Sequence, residues 1–335
     1  MPTPTFHIRH IPIYGDLILA PMDGYSDYPF RALCRALGSA MSYTEFVNAA
    51  DVLQRPAYVA PKLYFTENER PVTFQLYGDN PQQILEAALR VRERNPDIID
   101  VNMGCPAKTV SQRGAGVGLM RTPEKIAQIF NLLTHHLDLP ITGKMRLGWD
   151  DANRNYLQIA RIVEENGGAA LAVHGRTKQQ GYTGFADWEA IEEVARTLRI
   201  PVLGNGDVTD PAKARVSKQS SNCAAFMVGR AAMSNPWIFS GLRREQVSPE
   251  QVQTTLEHHL ALNLAFYGTP RGLILFRKFA VRYLAPYPLP RDLRQTLLTR
   301  ETPQEFLTLA AQILAAPPPP VTEPQEPEIF SCEVS

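Results

Sequence analysis

Short apolar runs alternate with amphipathic stretches along most of the chain, and this alternation constrains the fold more than any other feature. Each run predicts a strand buried on both faces, and a strand–helix repeat predicts a parallel sheet covered by helices. The predicted strands lie at residues 17–22, 41–46, 71–78, 97–104, 140–148, 169–175, 201–207 and 224–230. The predicted helices lie at residues 30–37, 81–94, 123–137, 154–166, 187–198 and near 210–219. Eight units in about 240 residues predict an α/β fold, the (β/α)8 TIM barrel. An open doubly wound sheet is the alternative, and it also places ligands at the carboxyl ends of its strands.

The alternation stops near residue 240, and the sequence that follows has helical periodicity without a strand pattern. We therefore predict a barrel domain at residues 1–242 and an all-helical domain at 243–316. The final stretch, 317–335, is rich in proline and glutamate, a composition typical of a disordered tail.

Composition indicates a globular protein of the cytoplasm. The 335 residues carry 34 basic and 34 acidic side chains, so a polyanion site must be a local patch. The four cysteines are widely spaced, without the pairs typical of zinc or redox dithiol sites. The segment "MPTPTFHIRH" lacks the apolar core expected of a signal peptide, and no apolar run reaches the length of a membrane helix. We expect a monomer that binds neither membrane nor metal.

Polar residues collect at the ends of the predicted strands, which is where the active site of a barrel lies. A polar set at seven strand ends is difficult to explain as core packing, because each buried polar group would need a partner. These residues are Asp23, Gln75, Asn102, Cys105, Lys144, Arg146, His174, Arg176, Asn205, Asp207 and Arg230.

Two glycine-rich strand ends, "GNGD" and "VGR", occupy the seventh and eighth strands, the usual place for a phosphate in such barrels. Arg230 can add a bidentate contact to that phosphate. Lys144 and Gln75 lie nearer the barrel centre, where a cation and an amide suit an electron-rich ring. Flavin mononucleotide (FMN) has both parts.

The segment "RGAGVG", residues 113–118, superficially matches a dinucleotide-binding fingerprint. It does not directly follow a strand of a βαβ unit, so a loop with close backbone approach is the better interpretation.

At these residues the sequence resembles the tRNA-dihydrouridine synthase family, over roughly residues 15–300. The motifs are "LAPMDGYSDYPFR", "FQLYG", "DVNMGCPAKTVSQRGAGVGLMRTPEKI", "KMRLGWDD", "VHGRTKQQGYTGFADWEAI", "NGDV" and "MVGRAAMSNPWIF". The resemblance implies an FMN-dependent barrel with a C-terminal helical domain that reduces tRNA uridines to 5,6-dihydrouridine with NADPH or NADH.

The resemblance also implies roles for individual residues. Cys105, which lies between a glycine and a proline, would be the acid that protonates C5 of uracil. The cofactor contacts would be Pro21, Met22, Asp23, Gln75, Lys144, His174, Asn205, Gly206, Asp207, Gly229 and Arg230. We assign Asn102, Arg146 and Arg176 to the substrate.

The helical domain has a charge suited to RNA, since residues 243–300 contain nine Lys/Arg and four Asp/Glu. We predict that Arg277, Lys278 and Arg282 contact tRNA phosphates, because such contacts supply most of the affinity for nucleic acid. An ordinary solvated helix face is the alternative interpretation of these residues.

Two other functions stay open at this point. One is a flavin barrel that acts on a free pyrimidine, which would need no RNA-binding domain. The other is a tRNA-binding protein without redox activity.

Overall fold

The computed structural model describes residues 3–212, 214 and 221–316. Its contacts divide the chain into two compact units, Met1–Gly229 and Arg230–Ser335. The predicted tail at 317–335, which includes Cys332, lies outside the described residues, as does most of the helix predicted near 210–219. The domain boundary after residue 242 stays a prediction.

Strands and helices alternate through the first unit. Its strands are β1 (Phe6–Ile8), β2 (Ile11–Ile13), β3 (Leu17–Leu19), β4 (Ser42–Tyr43), β5 (Val47–Asn48), β6 (Val72–Tyr77), β7 (Ile98–Met103), β8 (Ile141–Met145), β9 (Ala170–His174), β10 (Val202–Asn205) and β11 (Ala225–Val228). Its described helices are α1 (Tyr28–Ala36), α2 (Ala49–Gln54), α3 (Pro56–Val59), α4 (Pro81–Arg92), α5 (Lys108–Ser111), α6 (Pro123–His136), α7 (Tyr156–Glu165) and α8 (Trp188–Thr197).

Eight parallel strands form a nearly closed barrel, in the order β3-β11-β10-β9-β8-β7-β6-β4, with β5 beside β6. The last strand pairs with the first, since Phe226 lies opposite Leu17 in the ladder. On the other side of β3, the Ala40 N–H donates to the Leu17 carbonyl at 2.8 Å, just before β4 begins. An open doubly wound sheet does not join its first and last strands, so the barrel prediction is confirmed.

Local sequence explains the elements. Strand β6 is buried on both faces, as a barrel strand covered by helices must be. Helix α1 begins where the Asp27 carboxylate accepts the Phe30 N–H at 3.2 Å, and α4 begins where Asn80 accepts the Gln83 N–H at 3.0 Å. Both are side-chain caps that satisfy otherwise unpaired first-turn N–H groups.

Two details differ from the sequence prediction. Strands β1 and β2 form an antiparallel hairpin before the barrel. Within the range predicted as a strand, 41–46, only β4 forms; β5 follows that range, and the two pair with opposite ends of β6. Between them the Glu45 carboxylate accepts the Gly24 N–H at 2.6 Å, so this side chain is directed at the end of β3.

The described residues of the second unit are helical, which confirms the helical C-terminal region. Its helices are α9 (Arg230–Ser234), α10 (Pro249–Tyr267), α11 (Arg271–Tyr283), α12 (Arg291–Thr299) and α13 (Pro303–Ala315). Its core includes His259, whose Nδ1 lies 3.0 Å from the Tyr283 hydroxyl. Burial lowers the pKa of His259 to about 3, so the ring is neutral and serves packing. Within the described ranges, no helix has the length and apolar character that crossing a bilayer requires.

A buried ion pair links α1 to the segment before β6. Arg31 and Glu69 are 0% and 1% exposed, and their charged groups lie 2.9 Å apart. Arg31 also donates to the carbonyls of Ser26 and Tyr64. We expect Arg31→Met to lower the free energy of unfolding by about 3–5 kcal/mol, because it leaves the Glu69 carboxylate buried without its cation.

Urea unfolding checks this expectation. The matched control is Arg92→Met, which breaks the solvent-exposed pair with Asp138 and should cost at most about 1 kcal/mol. Equal destabilisation by the two substitutions would contradict the expectation.

Candidate active site

Register places the predicted polar residues at one end of the barrel. Asn102 lies opposite Lys144 in the β7–β8 ladder, and Asn205 lies opposite His174 in the β9–β10 ladder. The Lys144 ammonium donates to Asn205 Oδ1 at 3.0 Å. Because β9 separates β8 from β10, this bond crosses the barrel interior. The structure therefore brings these four side chains together, as the sequence predicts.

A chain of side-chain hydrogen bonds runs through the interior toward Cys105. Gln75 Nε2 donates to Asp100 Oδ2 at 2.7 Å, and Asn102 Nδ2 donates to Gln75 Oε1 at 2.9 Å. Asn102 Oδ1 then accepts the N–H groups of Gly104 at 3.1 Å and Cys105 at 2.9 Å. The chain fixes which way both amides point, and it holds the backbone that carries the thiol.

Two ionisable groups at this site, the buried Asp100 and the partly buried Lys144, have shifted pKa values. Burial raises the pKa of Asp100 to about 6, although hydrogen bonds from Thr142 and Gln75 oppose the shift. Burial lowers the pKa of Lys144 to about 8, and the Arg146 charge acts in the same direction. Perturbed groups of this kind concentrate at functional sites.

Cys105 lies on the loop after β7 and is partly exposed. Its carbonyl accepts the Val117 N–H at 3.2 Å. Gly116, in the "RGAGVG" loop, has φ +55°, and a Cβ there would lie 2.8 Å from the Cys105 carbonyl oxygen. Gly116 therefore allows the backbone of this loop to approach the backbone of Cys105 closely. Burial raises the pKa of the Cys105 thiol, with Asp23 adding to the shift while Arg146 and Lys144 oppose it.

Arg146 and Arg176 are buried, with 2% and 1% exposure. Both guanidinium groups donate hydrogen bonds to backbone carbonyls of loop residues. Arg146 donates to the carbonyls of Gly104 (3.0 Å), Thr177 (2.8 Å) and Gly181 (2.8 Å). Arg176 forms a salt bridge with Asp207 at 2.7 Å and donates to the Gly184 carbonyl. Their predicted substrate contacts therefore involve groups that already have protein partners.

The residues after β10 are held tightly. Asp207 adopts a positive φ of 54°, and its carboxylate accepts the Ala186 N–H at 2.7 Å. Gly206 has φ +130°, and a Cβ on it would lie 2.5 Å from the Ala186 Cβ and 3.3 Å from His174 Cδ2. Only glycine fits at position 206.

The remaining predicted cofactor residues follow β3 and β11. Pro21 and Met22 are partly buried, and Asp23 forms a salt bridge with Lys62. A Cβ on Gly229 would lie 3.7 Å from the Met22 sulfur, so these two strand ends are neighbours. Arg230 is the first residue of α9 and belongs to the second unit.

Arg277, Lys278 and Arg282 lie on α11 in the second unit. Arg277 donates to the Arg300 carbonyl at 2.7 Å, and Arg282 donates to the Lys278 carbonyl. All three side chains are partly exposed.

The loops that follow β8 and β9 are hydrogen-bonded to each other through their backbones. Leu147 N–H donates to the Arg176 carbonyl at 3.1 Å, and Lys178 N–H donates to the Gly148 carbonyl at 2.9 Å. Gln179 N–H continues the pairing to the Trp149 carbonyl at 2.9 Å. The rim on this side of the barrel is thus one connected structure.

Asp100 orients the amide of Gln75 and is not among the residues predicted from the sequence. The available signal was a carboxylate in the middle of the apolar run "DIIDVNMG", because a buried charge needs partners. The Lys62 cation beside Asp23 and Glu45 is not among them either, and it comes from a segment without periodicity. Within the described part of the chain, no group of three or more His, Cys, Asp or Glu residues is arranged to hold a metal ion.

Comparison with known proteins decides the family. The family model described as dihydrouridine synthase (Dus) matches residues 18–316. The chain belongs to the dihydrouridine synthase family. It is 38% identical to tRNA-dihydrouridine synthase B of Xanthomonas campestris pv. campestris, over 91% of this chain and 96% of that protein. It is 40% identical to the protein of that name from Pseudomonas aeruginosa, over 83% and 86% of the two chains.

Solved structures match this Dus-family chain in fold. Histamine dehydrogenase from Rhizobium sp. 4-9 superimposes with a TM-score of 0.53 and 10% identity, over 77% of this chain and 50% of that one. The 6-hydroxypseudooxynicotine amine oxidase of Pseudomonas geniculata N1 superimposes with a TM-score of 0.52 and 12% identity, over 70% and 47% of the chains. At such low identity, these matches concern the fold alone.

The raised pKa of Asp100 has a consequence for stability. An acid whose folded pKa of about 6 exceeds its unfolded value favours folding at low pH, and this contribution is lost as pH rises through 6. In Asp100→Asn, the amide oxygen can still accept from Gln75, and Thr142 can accept from the amide nitrogen. The wild type loses stability as Asp100 ionises, whereas the variant has no carboxyl to ionise at this position. We therefore expect the free energy of unfolding of the variant minus that of wild type to increase by about 1–3 kcal/mol between pH 4.5 and 7.5.

Urea unfolding at several pH values measures this difference. The solvent-exposed Asp138→Asn serves as the control, because no buried carboxylate is removed. A difference between Asp100→Asn and wild type that stays constant across the range would contradict the expectation.

Proposed function

We propose that this chain reduces the 5,6 double bond of specific uridines in tRNA, which yields dihydrouridine. The observation that carries the proposal is the likeness to curated tRNA-dihydrouridine synthase B proteins, which extends over as much as 92% of this chain. That extent includes the barrel and the helical region alike, so both the site and the second unit have counterparts in those relatives.

The residues at the barrel mouth fit FMN as the cofactor. Lys144 supplies a cation and Asn102 a neutral amide, which suit a ring with several acceptor atoms, and the buried Gln75 orients the Asn102 amide from behind. Gly206 and Gly229 follow the seventh and eighth barrel strands, β10 and β11, where barrels of this type hold a phosphate. At Gly206 the Ala186 and His174 side chains occupy the space that a Cβ would need, so this strand end requires glycine. When bound and reduced, FMN supplies the hydride that uracil takes up at C6.

Cys105 donates the proton that completes the reduction at C5. Its thiol pKa is raised by burial, so the protonated form is kept at neutral pH and is available as an acid. The backbone N–H of Cys105 bonds to Asn102, which fixes the loop that presents the thiol.

Lys144 serves as the charged donor at the ring. Its ammonium lies at 3.0 Å from Asn205 Oδ1 and has no carboxylate within salt-bridge distance among the described residues. A cation held in this way in a buried site stabilises negative charge that develops in the transition state. We infer that NADPH or NADH regenerates the reduced cofactor, and that a tRNA substrate places the protein in the cytoplasm.

A genetic experiment tests the function directly. Dihydrouridine is mapped in the tRNA of the source organism before and after deletion of the gene. We expect one or a few uridine positions to lose the modification and to regain it when wild-type protein is supplied. Unchanged modification at every position would overturn the proposal.

The acid role of Cys105 is tested by Cys105→Ala. We expect single-turnover reduction of unmodified tRNA to slow by about 10²–10⁴-fold, the usual contribution of a positioned acid, while FMN content stays as in wild type. Stopped-flow flavin absorbance together with dihydrouridine quantification measures the rate.

Cys34→Ala is the matched control, because it removes a thiol that is buried in α1 and does not line the site. Free uridine is included as a second substrate, to distinguish tRNA from a free pyrimidine. A Cys105→Ala rate close to wild type would show that another group supplies the proton.

The second unit is proposed to bind tRNA phosphates through α11. We expect Lys278→Glu and Arg282→Glu together to weaken tRNA binding and to reduce its dependence on salt, because each phosphate contact contributes about one unit to the salt slope. Arg277 is left intact, since it also holds the Arg300 carbonyl.

Binding is measured by filter retention or anisotropy at several salt concentrations. Arg90→Glu and Arg92→Glu together, on α4 of the barrel, are the control, because this pair changes the net charge by the same amount. Wild-type affinity and slope in the double variant would exclude these residues from the interface.

A further inference from the structure

We propose that Arg146 is a positioning residue that holds the Cys105 loop against the loop after β9, and that it is not a contact to a tRNA phosphate. The inference rests on the proposed function, because it concerns how that site keeps its acid in place.

The first argument is where the guanidinium donates. Arg146 Nε bonds to the carbonyl of Gly104, the residue directly before Cys105. One terminal nitrogen bonds to two carbonyls of the next loop, those of Thr177 and Gly181. A planar group with five N–H donors can join two backbone segments in this way, whereas a lysine cannot supply the same fixed fork.

The second argument is that the guanidinium is covered. The residue is 2% exposed, and the ring centroid of Tyr182 lies 5.5 Å from its Cζ. Within the described ranges, no carboxylate lies at salt-bridge distance, and burial lowers the pKa of Arg146 to about 10. Nε and one terminal nitrogen are committed to the two loops, so a tRNA phosphate could form a bidentate contact only by displacing one of them.

The third argument is that the Cys105 segment is held from two directions. Asn102 accepts the N–H groups of Gly104 and Cys105, while Arg146 donates to the Gly104 carbonyl. Asn102, in the barrel interior, thus holds the N–H groups of this segment, and Arg146, at the rim, holds its carbonyl. Loss of Arg146 removes the rim support alone and leaves the thiol, the amides and Lys144 in the chain.

The experiment uses full-length holoenzyme carrying Cys332→Ser, so that no thiol outside the described residues reacts. Two substitutions are compared in this background: Arg146→Met, which removes all donors, and Arg146→Lys, which keeps the charge and one donor nitrogen. Arg92→Met is the control, since it removes an equal charge from a partly exposed pair with Asp138.

The first measurement is tRNA affinity as a function of salt. A positioning residue leaves the salt slope of both variants equal to that of the control. A slope smaller by about one unit in Arg146→Met, restored in Arg146→Lys, would identify a phosphate contact and overturn the proposal.

The second measurement is single-turnover reduction at saturating tRNA. We expect a loss of about 10–100-fold in both variants, which is the usual cost of displacing a reacting group by about 1 Å. A rate equal to that of the control would overturn the proposal.

The third measurement is alkylation of Cys105 by iodoacetamide in the absence of tRNA. We expect faster alkylation in both variants, because the loop loses a bond beside the thiol, and an unchanged rate would contradict the proposed role. Arg146→Lys also serves if Arg146→Met does not fold. This measurement does not depend on catalysis, so it separates failure of the Arg146 inference from failure of the proposed function.

Discussion

A carboxylate inside a barrel must be hydrogen-bonded, and at Asp100 this requirement sets the geometry of the site. The carboxylate accepts from the amide nitrogen of Gln75, so the oxygen of that amide must point at Asn102. The Asn102 oxygen is in turn left free to accept from the loop that carries Cys105. One unpaired buried oxygen would cost about 1–3 kcal/mol, so the directions of all three side chains are decided together.

The same arrangement explains how opposite charges share a small interior. Asp100 and Lys144 both lie in the barrel. Burial raises the pKa of Asp100 to about 6 and lowers the pKa of Lys144 to about 8. Neither group bonds to the other, because Lys144 donates to Asn205 and Asp100 accepts from Gln75 and Thr142. The ammonium therefore stays directed at Asn205, near the carboxyl ends of the strands, where barrels of this type have their active sites.

The barrel and the location of its site could be predicted from the sequence, because apolar runs that each end in a polar residue identify parallel strands and their shared edge. The partners of those residues could not be predicted. Arg146 and Arg176 are charged residues at strand ends, which favoured a substrate role, yet their guanidinium groups bond to carbonyls of loops distant in the sequence. A hydrogen bond to a backbone carbonyl has no sequence signature, and the turn of the β1–β2 hairpin, Arg9-His10, lacks the glycine or asparagine that usually identifies such a turn.

The backbone pairing between the loops after β8 and β9 has a consequence for how such a barrel can change. Loops at a barrel mouth are commonly treated as exchangeable modules that alter specificity one at a time. Here Lys178 and Gln179 bond to the peptide groups of Gly148 and Trp149, so a new loop at either position would have to restore a shared register. The specificity of this region therefore depends on both loops together. To change it by engineering, both loops must be transplanted from the same donor protein.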